Sequence, residues 1–347
     1  QQNLNLIPKP QNIEYYSGSF ILNSKTVIQA DKNSFEAKYL QQVIKQQLGL
    51  NLEITTSSKA KSKIVFVTKI IEEKKSFKEW YNLSISKNEV VIKATEDHGI
   101  FYGIQTLIQL LPLEKSFEIK IPCSNITDEP KFLWRGMHLD VSRHFFPKEF
   151  IKKYIDYLAM YKMNTFHWHL TDDQGWRIEI KRYPFLTEKG AWRDSTAINH
   201  PSSFSQPVFE KKRYGGYYTQ EQIREVVAYA AEHHVTIVPE IDIPGHMLAA
   251  LTAYPSLGCI QKGYQVGTQW GIYSDVLCAG NAACYTFLKD VMQEVIELFP
   301  GPYIHIGGDE CPNERWKSCE KCQSWMRKNH ISDEYALQSY VIEYVGK

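Results

Sequence analysis

The chain has 347 residues, 43% of them hydrophobic, enough to bury a large core and to hold two domains. A net charge of +1, with no long run of one sign, argues against a nucleic-acid or membrane-surface partner. No stretch of about 18 apolar residues offers a membrane span. Gln1-Gln2-Asn3 does not open a basic-then-apolar leader, so either none existed or a signal peptide has been removed.

Short alternating segments dominate the first third, as in Lys63–Val67 and Val90–Lys93, and read as strands. Helical spacing over Ser34–Leu48 and His98–Leu111 interrupts them, which predicts a small α+β domain over residues 1–126. It carries no cluster of acids, histidines and cysteines, and reads as a scaffold. Ser124–Pro130 serves as the linker to a second domain, residues 127–347.

From Trp134 onward the pattern becomes strand, loop, helix, repeated. Gly136–Val141 is a strand, and Pro147 stands where a first-turn proline belongs, ahead of a helix over Lys148–Tyr161. Thr165–Leu170 is the second strand. Thr219 and Gln222 have capping-box spacing and open a helix to His233. Val235–Pro239 is the third strand and Tyr285–Leu298 the next helix. Pro300-Gly301-Pro302 introduces a fourth strand, Tyr303–Ile306, and Ser332–Tyr344 is a last helix. Strands alternating with helices predict an α/β fold with right-handed parallel crossovers, either a barrel or an open sheet. Four strand-helix units are visible, whereas a closed (β/α)8 barrel needs eight.

Each of these strands ends in polar residues that a core would not choose. The first gives Arg135, Asp140 and Arg143-His144; the second gives His167, His169, Asp172 and Asp173. The third gives Glu240, Asp242 and His246; the fourth gives His305, Asp309 and Glu310. One such cluster is explained by a salt bridge or a helix cap. Four at equivalent strand ends, where parallel α/β folds bind ligands, point to a site. Aromatics make up 13% of the chain, and rings of this kind commonly stack on sugar faces.

Five of the seven cysteines, Cys259, Cys278, Cys311, Cys319 and Cys322, fall in loops around that site. Cys319-x-x-Cys322 has zinc-ligand spacing, with Cys311 nearby, but a fourth ligand of matching spacing is missing, so no metal is assigned. Disulfides in an extracytoplasmic protein are the expected use, with Cys259 and Cys278 paired across the Gly263–Ser274 loop.

Four segments resemble the family-20 glycoside hydrolases, the β-N-acetylhexosaminidases. They are Trp134–Asp140 with Ser142–Pro147, Phe166–Arg177, Val238–His246 and His305–Glu310, in the family's order. The resemblance runs from Trp134 to about Cys322 and is highly specific. Residues 1–126 are more weakly similar to the family's N-terminal domain, beginning at Leu6-Ile7-Pro8-Lys9-Pro10.

What the resemblance implies is a retaining exo-glycosidase that removes terminal β-linked N-acetylglucosamine or N-acetylgalactosamine from oligosaccharides or glycoconjugates. The substrate's own acetamido oxygen attacks the anomeric carbon and forms an oxazolinium intermediate. Glu310 is then the general acid and later the base, and Asp309 holds the acetamido group. Asp172 and His246 form a relay behind Glu310, and Asp242 supports Asp309. Arg135 and Trp176 are expected at the sugar, although Arg135 could instead pair Asp140. No cofactor is implied. An acid working at neutral pH is expected to be buried.

The family's later strands have no counterpart in these residues. The expectation is therefore the first half of a barrel, completed by a C-terminal segment or a second chain. The rival readings are an inactive sugar-binding half-barrel and a family-18 chitinase. The chitinase motif Asp-x-x-Asp-x-Asp-x-Glu is absent.

Overall fold

A computed structural model describes residues 4–57, 59–69, 78–114, 119–199 and 206–347. They form two compact units. One comprises Gln1–Arg135, Ile155–Asn164 and Glu232–Val235; the other comprises Gly136–Tyr154, Thr165–Ala231 and Thr236–Lys347.

The first unit contains strands β1 (Asn12–Leu22), β2 (Val27–Gln29), β3 (Glu53–Thr55), β4 (Lys63–Thr68), β5 (Tyr81–Ile85), β6 (Glu89–Ala94) and β7 (Ile119–Asp128), with helices α1 (Phe35–Leu48) and α2 (Asp97–Gln109). The sheet order is β1-β7-β5-β6-β4-β2-β3. Strict alternation in β5 and β6 buries every second residue, as a sheet covered on one face requires. Ile64, Leu83 and Ile92 from the sheet pack with Leu40 and Ile44 of α1 and Phe101 and Ile104 of α2. Ser34 caps α1, its hydroxyl accepting from the Ala37 amide at 3.2 Å.

The second unit is built on parallel strands β8 (Gly136–Asp140), β9 (Thr165–Asp172) and β15 (Thr236–Ile241). Between β8 and β9 lies α3 (Lys148–Met160). After β9 come β10 (Gly175–Trp176), α4 (Phe185–Glu188), the short strands β11 (Trp192–Arg193), β12 (Thr196–Ala197), β13 (Phe209–Glu210) and β14 (Tyr214–Gly215), and α5 (Gln220–Glu232). After β15 follow α6 (Leu248–Ala253), α7 (Ala282–Leu298), α8 (Glu314–Ser318), α9 (Glu320–Lys328) and α10 (Glu334–Gly346). Phe166, Trp168 and Leu170 alternate along one face of β9 and are fully buried, with Trp168 against Tyr218. His167 and His169 therefore project from the other face.

The expected fourth strand is only partly formed. Residues 303–306 run beside β15, with the His305 amide donating to the Pro239 carbonyl at 2.9 Å and the Ile241 amide to the His305 carbonyl at 3.1 Å. The ladder reduces to a single bridge, Glu240 to His305, and Tyr303 is 58% exposed. Pro302 has no amide to donate, and Gly307 and Gly308 turn the chain away at once. Two helices also begin earlier than expected, α2 by one residue, at Asp97. Asn281 caps α7, accepting from the Ala283 amide at 3.1 Å, so that helix begins three residues earlier than Tyr285.

The expected Cys259–Cys278 disulfide is not formed; all seven cysteines are free thiols. Free thiols give no support to an extracytoplasmic location. Among the described residues no helix is long and apolar enough to cross a membrane.

The capping box is formed as expected: the Gln222 amide donates to the Thr219 hydroxyl at 3.2 Å, and the Thr219 amide to Gln222 Oε1 at 3.0 Å. Thr219→Ala is expected to cost about 1 kcal/mol of stability. A urea midpoint equal to the unmodified protein's would show that the box contributes nothing.

Candidate active site

Register builds the site. Asp140 pairs with His169 across β8–β9, and Glu240 with the same His169 across β9–β15. One row across three adjacent strands thus carries an acid, a histidine and an acid. Glu240 is buried and contacts three imidazoles: His167 at 2.6 Å, His169 at 2.7 Å and His305 at 3.0 Å. Burial alone would raise its pKa, but hydrogen bonds with His167 and His169 hold it well below the ordinary carboxylate range.

A second layer follows one step further along β9. Asp172, fully buried, lies 2.9 Å from His169, 3.1 Å from His246 and 2.7 Å from Arg143. Burial favours its neutral form, and the bonds to His169 and His246 with the Arg143 charge overcome this, leaving a pKa of about 2. His246 Nδ1 also meets Asp173 at 3.0 Å. Burial would lower the His246 pKa; the two aspartates instead push it up to about 11. Its other nitrogen, Nε2, faces Glu310 at 3.6 Å, ion-pair range but longer than a hydrogen bond.

Asp309 and Glu310 stand past a tight turn. Gly307, at φ +62°, leaves no room for a β-carbon, which would sit 1.8 Å from the Asp242 carboxylate. The Gly308 amide donates to that carboxylate at 3.1 Å. Burial pushes the Asp242 pKa up to about 7, against the Gly308 hydrogen bond and with help from the Asp309 and Asp172 charges. Asp242, His246 and Asp309 each place a ligand-type atom within 4.8 Å of the others. Glu310 itself adopts φ +45°, and its side chain is 53% exposed. A buried acid was expected; in these residues it is open.

Four of the seven sequence-predicted residues, Asp172, Asp242, His246 and Glu310, converge with Asp309, while Arg135 and Trp176 do not. Arg135 precedes the first residue of β8, about 16 Å of strand from Asp140. It belongs to the first unit, where it pairs with Glu79 at 2.8 Å and donates to the Lys162 carbonyl at 2.8 Å. Trp176 is 1% exposed, donates to the Ile178 carbonyl at 2.7 Å and packs near Phe287. Strand polarity and the in–out alternation of a hairpin explain both corrections. The arginine at the site is Arg143, bonded to Asp140 at 3.0 Å and stacked 4.8 Å from the ring of Trp270, which is exposed. Its position after the strand's last acid was the available signal; nothing in the sequence singled out Trp270.

Several histidine–carboxylate groups have metal-like geometry, but their atoms are already paired with one another and with Arg143. A different group, Cys259, Cys278, Cys319 and Cys322, clusters separately.

The profile of the glycosyl hydrolase family 20 catalytic domain matches residues 132–347, and that of the family's domain 2 matches residues 3–129. A beta-hexosaminidase of Porphyromonas gingivalis is 42% identical over 99% of this chain and 44% of its own length. One from Vibrio furnissii is 38% identical over 99% of this chain and 55% of its own. The exo beta-N-acetylglucosaminidase of Vibrio harveyi, solved with N-acetylglucosamine, superposes with a TM-score of 0.82 at 36% identity, covering 99% of this chain and 52% of that one. The chain thus spans about half the length of these relatives.

The buried pairs set a pH dependence. His246 lies near 11 when folded against about 6.5 when unfolded, so its stabilisation is complete below pH about 6.5 and is lost as pH climbs toward 11. Asp172 lies near 2 against about 3.9, so its contribution is complete above pH about 4 and is lost as pH falls toward 2. These two groups place the highest denaturant midpoints between about pH 4 and 6.5, and Asp242, raised to about 7 when folded against about 3.9 unfolded, tilts the maximum toward pH 4. His246→Gln should flatten the alkaline limb without abolishing it, because His169, raised to about 10 by Asp172 and Glu240 against its own burial, remains. Parallel alkaline limbs in the variant and the unmodified protein would refute the pairing.

Proposed function

This chain belongs to glycosyl hydrolase family 20, and on that premise we propose that the protein carrying it is a retaining exo-glycosidase that removes terminal β-linked N-acetylhexosamine through an oxazolinium intermediate. The observation that carries the reading is the line Glu310, His246, Asp172 and Asp173 at the carboxyl ends of parallel strands. A proton-bearing group held against buried carboxylates, with its free nitrogen toward an open acid, is what acid–base chemistry at a glycosidic oxygen needs. The 3.6 Å gap to Glu310 fits a site without substrate, where such contacts are commonly long.

In this reading Glu310 protonates the leaving oxygen while the acetamido oxygen attacks the anomeric carbon. Glu310 then takes a proton from the water that opens the oxazolinium. Asp309 holds the acetamido N–H, and a proton on Asp242 relieves like-charge repulsion beside it. Arg143, not Arg135, grips sugar hydroxyls, because its guanidinium stands at the strand end beside Asp140 and Asp172. The relatives support the substrate class: two are called beta-hexosaminidases, and the Vibrio harveyi enzyme is an exo beta-N-acetylglucosaminidase. β8 pairs on one side only among the described strands, and the two acids are exposed. Activity is accordingly proposed for the assembled protein in which these residues work. An inactive sugar-binding role has no observation in its favour.

Glu310→Gln keeps the shape of the acid without its proton and should lower turnover of an N-acetylglucosaminide by about 10²–10⁴-fold, with substrate still bound. A variant at the unmodified rate would remove the assignment. Mass spectrometry after incubation with a fluorosugar should find Asp309 unmodified; a glycosyl ester there would replace substrate assistance with an enzymic nucleophile.

The two arginines separate cleanly. Arg143→Ala should raise KM and lower kcat/KM at least tenfold, a loss of about 1.4 kcal/mol or more of transition-state binding. Arg135→Ala should leave both constants near those of the folded enzyme. The reverse result would return Arg135 to the sugar.

A further inference from the structure

Four cysteines far apart in the chain converge in the second unit, away from the acids. Cys259 follows the 3-10 turn Pro255–Leu257, and Cys278 follows the Gly258–Leu277 bridge, its amide donating to the Leu257 carbonyl at 2.8 Å. Cys319 ends α8 and begins α9, and Cys322 lies in the first turn of α9. All four sulfurs lie within 4.8 Å of one another. The separations are 3.9 Å for Cys259–Cys322, 3.8 Å for Cys278–Cys319 and 3.7 Å for Cys278–Cys322. A disulfide would need about 2.05 Å. Four thiolates placed tetrahedrally at about 2.3 Å from a zinc ion have their sulfurs about 3.8 Å apart. We propose that Cys259, Cys278, Cys319 and Cys322 form a structural zinc site.

The surrounding backbone fits that use. Gly280, two residues after Cys278, presses against the second pair so closely that a β-carbon would sit 2.2 Å from the Lys321 carbonyl group and 2.4 Å from the Cys322 amide nitrogen. The Gly280 backbone amide is a hydrogen-bond partner of both the Cys278 and Cys322 sulfurs, the kind of outer contact that supports a metal ligand. Cys278 and Cys322 are buried and the other two half-buried, so four protein ligands close the coordination sphere and leave no position for substrate or water. That is the signature of a structural rather than a catalytic metal. The three remaining cysteines are occupied elsewhere or remote: the Cys284 thiol donates to the Leu257 carbonyl at 3.2 Å, Cys311 lies beside Pro312, and Cys123 belongs to β7. The pairing missed in the sequence is now evident, since the ligands absent from the Cys319-x-x-Cys322 half are Cys259 and Cys278, and Cys311 is not one of them.

The test is the metal content of the protein expressed with zinc and purified without chelator. Elemental analysis should give about one zinc per chain, and X-ray absorption four sulfur neighbours at about 2.3 Å. Titration of the folded protein with a mercurial should release zinc in step with four thiols. Cys278→Ser and Cys322→Ser should lose the metal, whereas Cys284→Ser and Cys311→Ser should keep it. Removing zinc from the unmodified protein with phenanthroline should lower its thermal midpoint. Should the cysteine variants fail to fold, the stoichiometry of the unmodified protein still decides. Absence of zinc with none taken up on titration, full zinc in Cys322→Ser, or peptide mapping that finds disulfides among the four would each overturn the site.

Discussion

The second unit turns on one buried carboxylate. Asp172 is shielded from water, and a bare carboxylate there would cost several kcal/mol. It is tolerated because a guanidinium and two imidazoles converge on its two oxygens. Those contacts fix three other groups at once. Arg143 is held at the end of β8, His169 is held between Asp172 and Glu240, and His246 is turned so that its second nitrogen faces Glu310. Removing the negative charge would leave three cations, Arg143 and the two imidazoles, beside an empty acceptor, so the layer stands or falls as a unit.

Most of the architecture was legible in the sequence because it is written in local periodicity. The alternation of β5 and β6, the capping box at Thr219 and the three parallel strands each follow from residues adjacent in the chain. The clusters of acids and histidines were legible for the same reason, since each sits at the end of its own strand. Assigning roles inside a cluster was harder. A motif containing both Arg135 and Arg143 says that an arginine serves the site, while only strand direction says which one. Trp176 shows the same limit: an aromatic in a matching segment is read as a sugar platform, yet the β9–β10 hairpin turns it inward.

The cysteines were illegible for a different reason. Ligand spacing is readable when all four ligands are local, as in Cys319-x-x-Cys322. The complementary pair is 41 to 63 residues away, and its convergence depends on how the loop after β15 folds back over α7 to α9. No periodicity encodes that return. The returning segment consists of two short helices, α8 and α9, and a covalent or metal cross-link is physically useful where it meets the earlier loop.

The site and the cysteine cluster meet through a single stretch of chain. Glu310 is exposed and sits in a left-handed backbone conformation that a non-glycine residue adopts only under constraint. Before it, the Gly308 amide is tied to Asp242 and the chain bridges to β15. After it, Arg315 binds Asp275 at 2.7 Å, the Trp316 indole donates to the Leu277 carbonyl at 2.8 Å, and Cys319 and Cys322 reach Cys278. The acid is therefore clamped on both sides to β15 and the stretch of chain from Asp242 to Cys278, which also delivers His246. Glu310 and His246 keep their mutual distance because their two backbones are fastened together on either side, which lets an open, water-facing acid remain aligned with its buried partner.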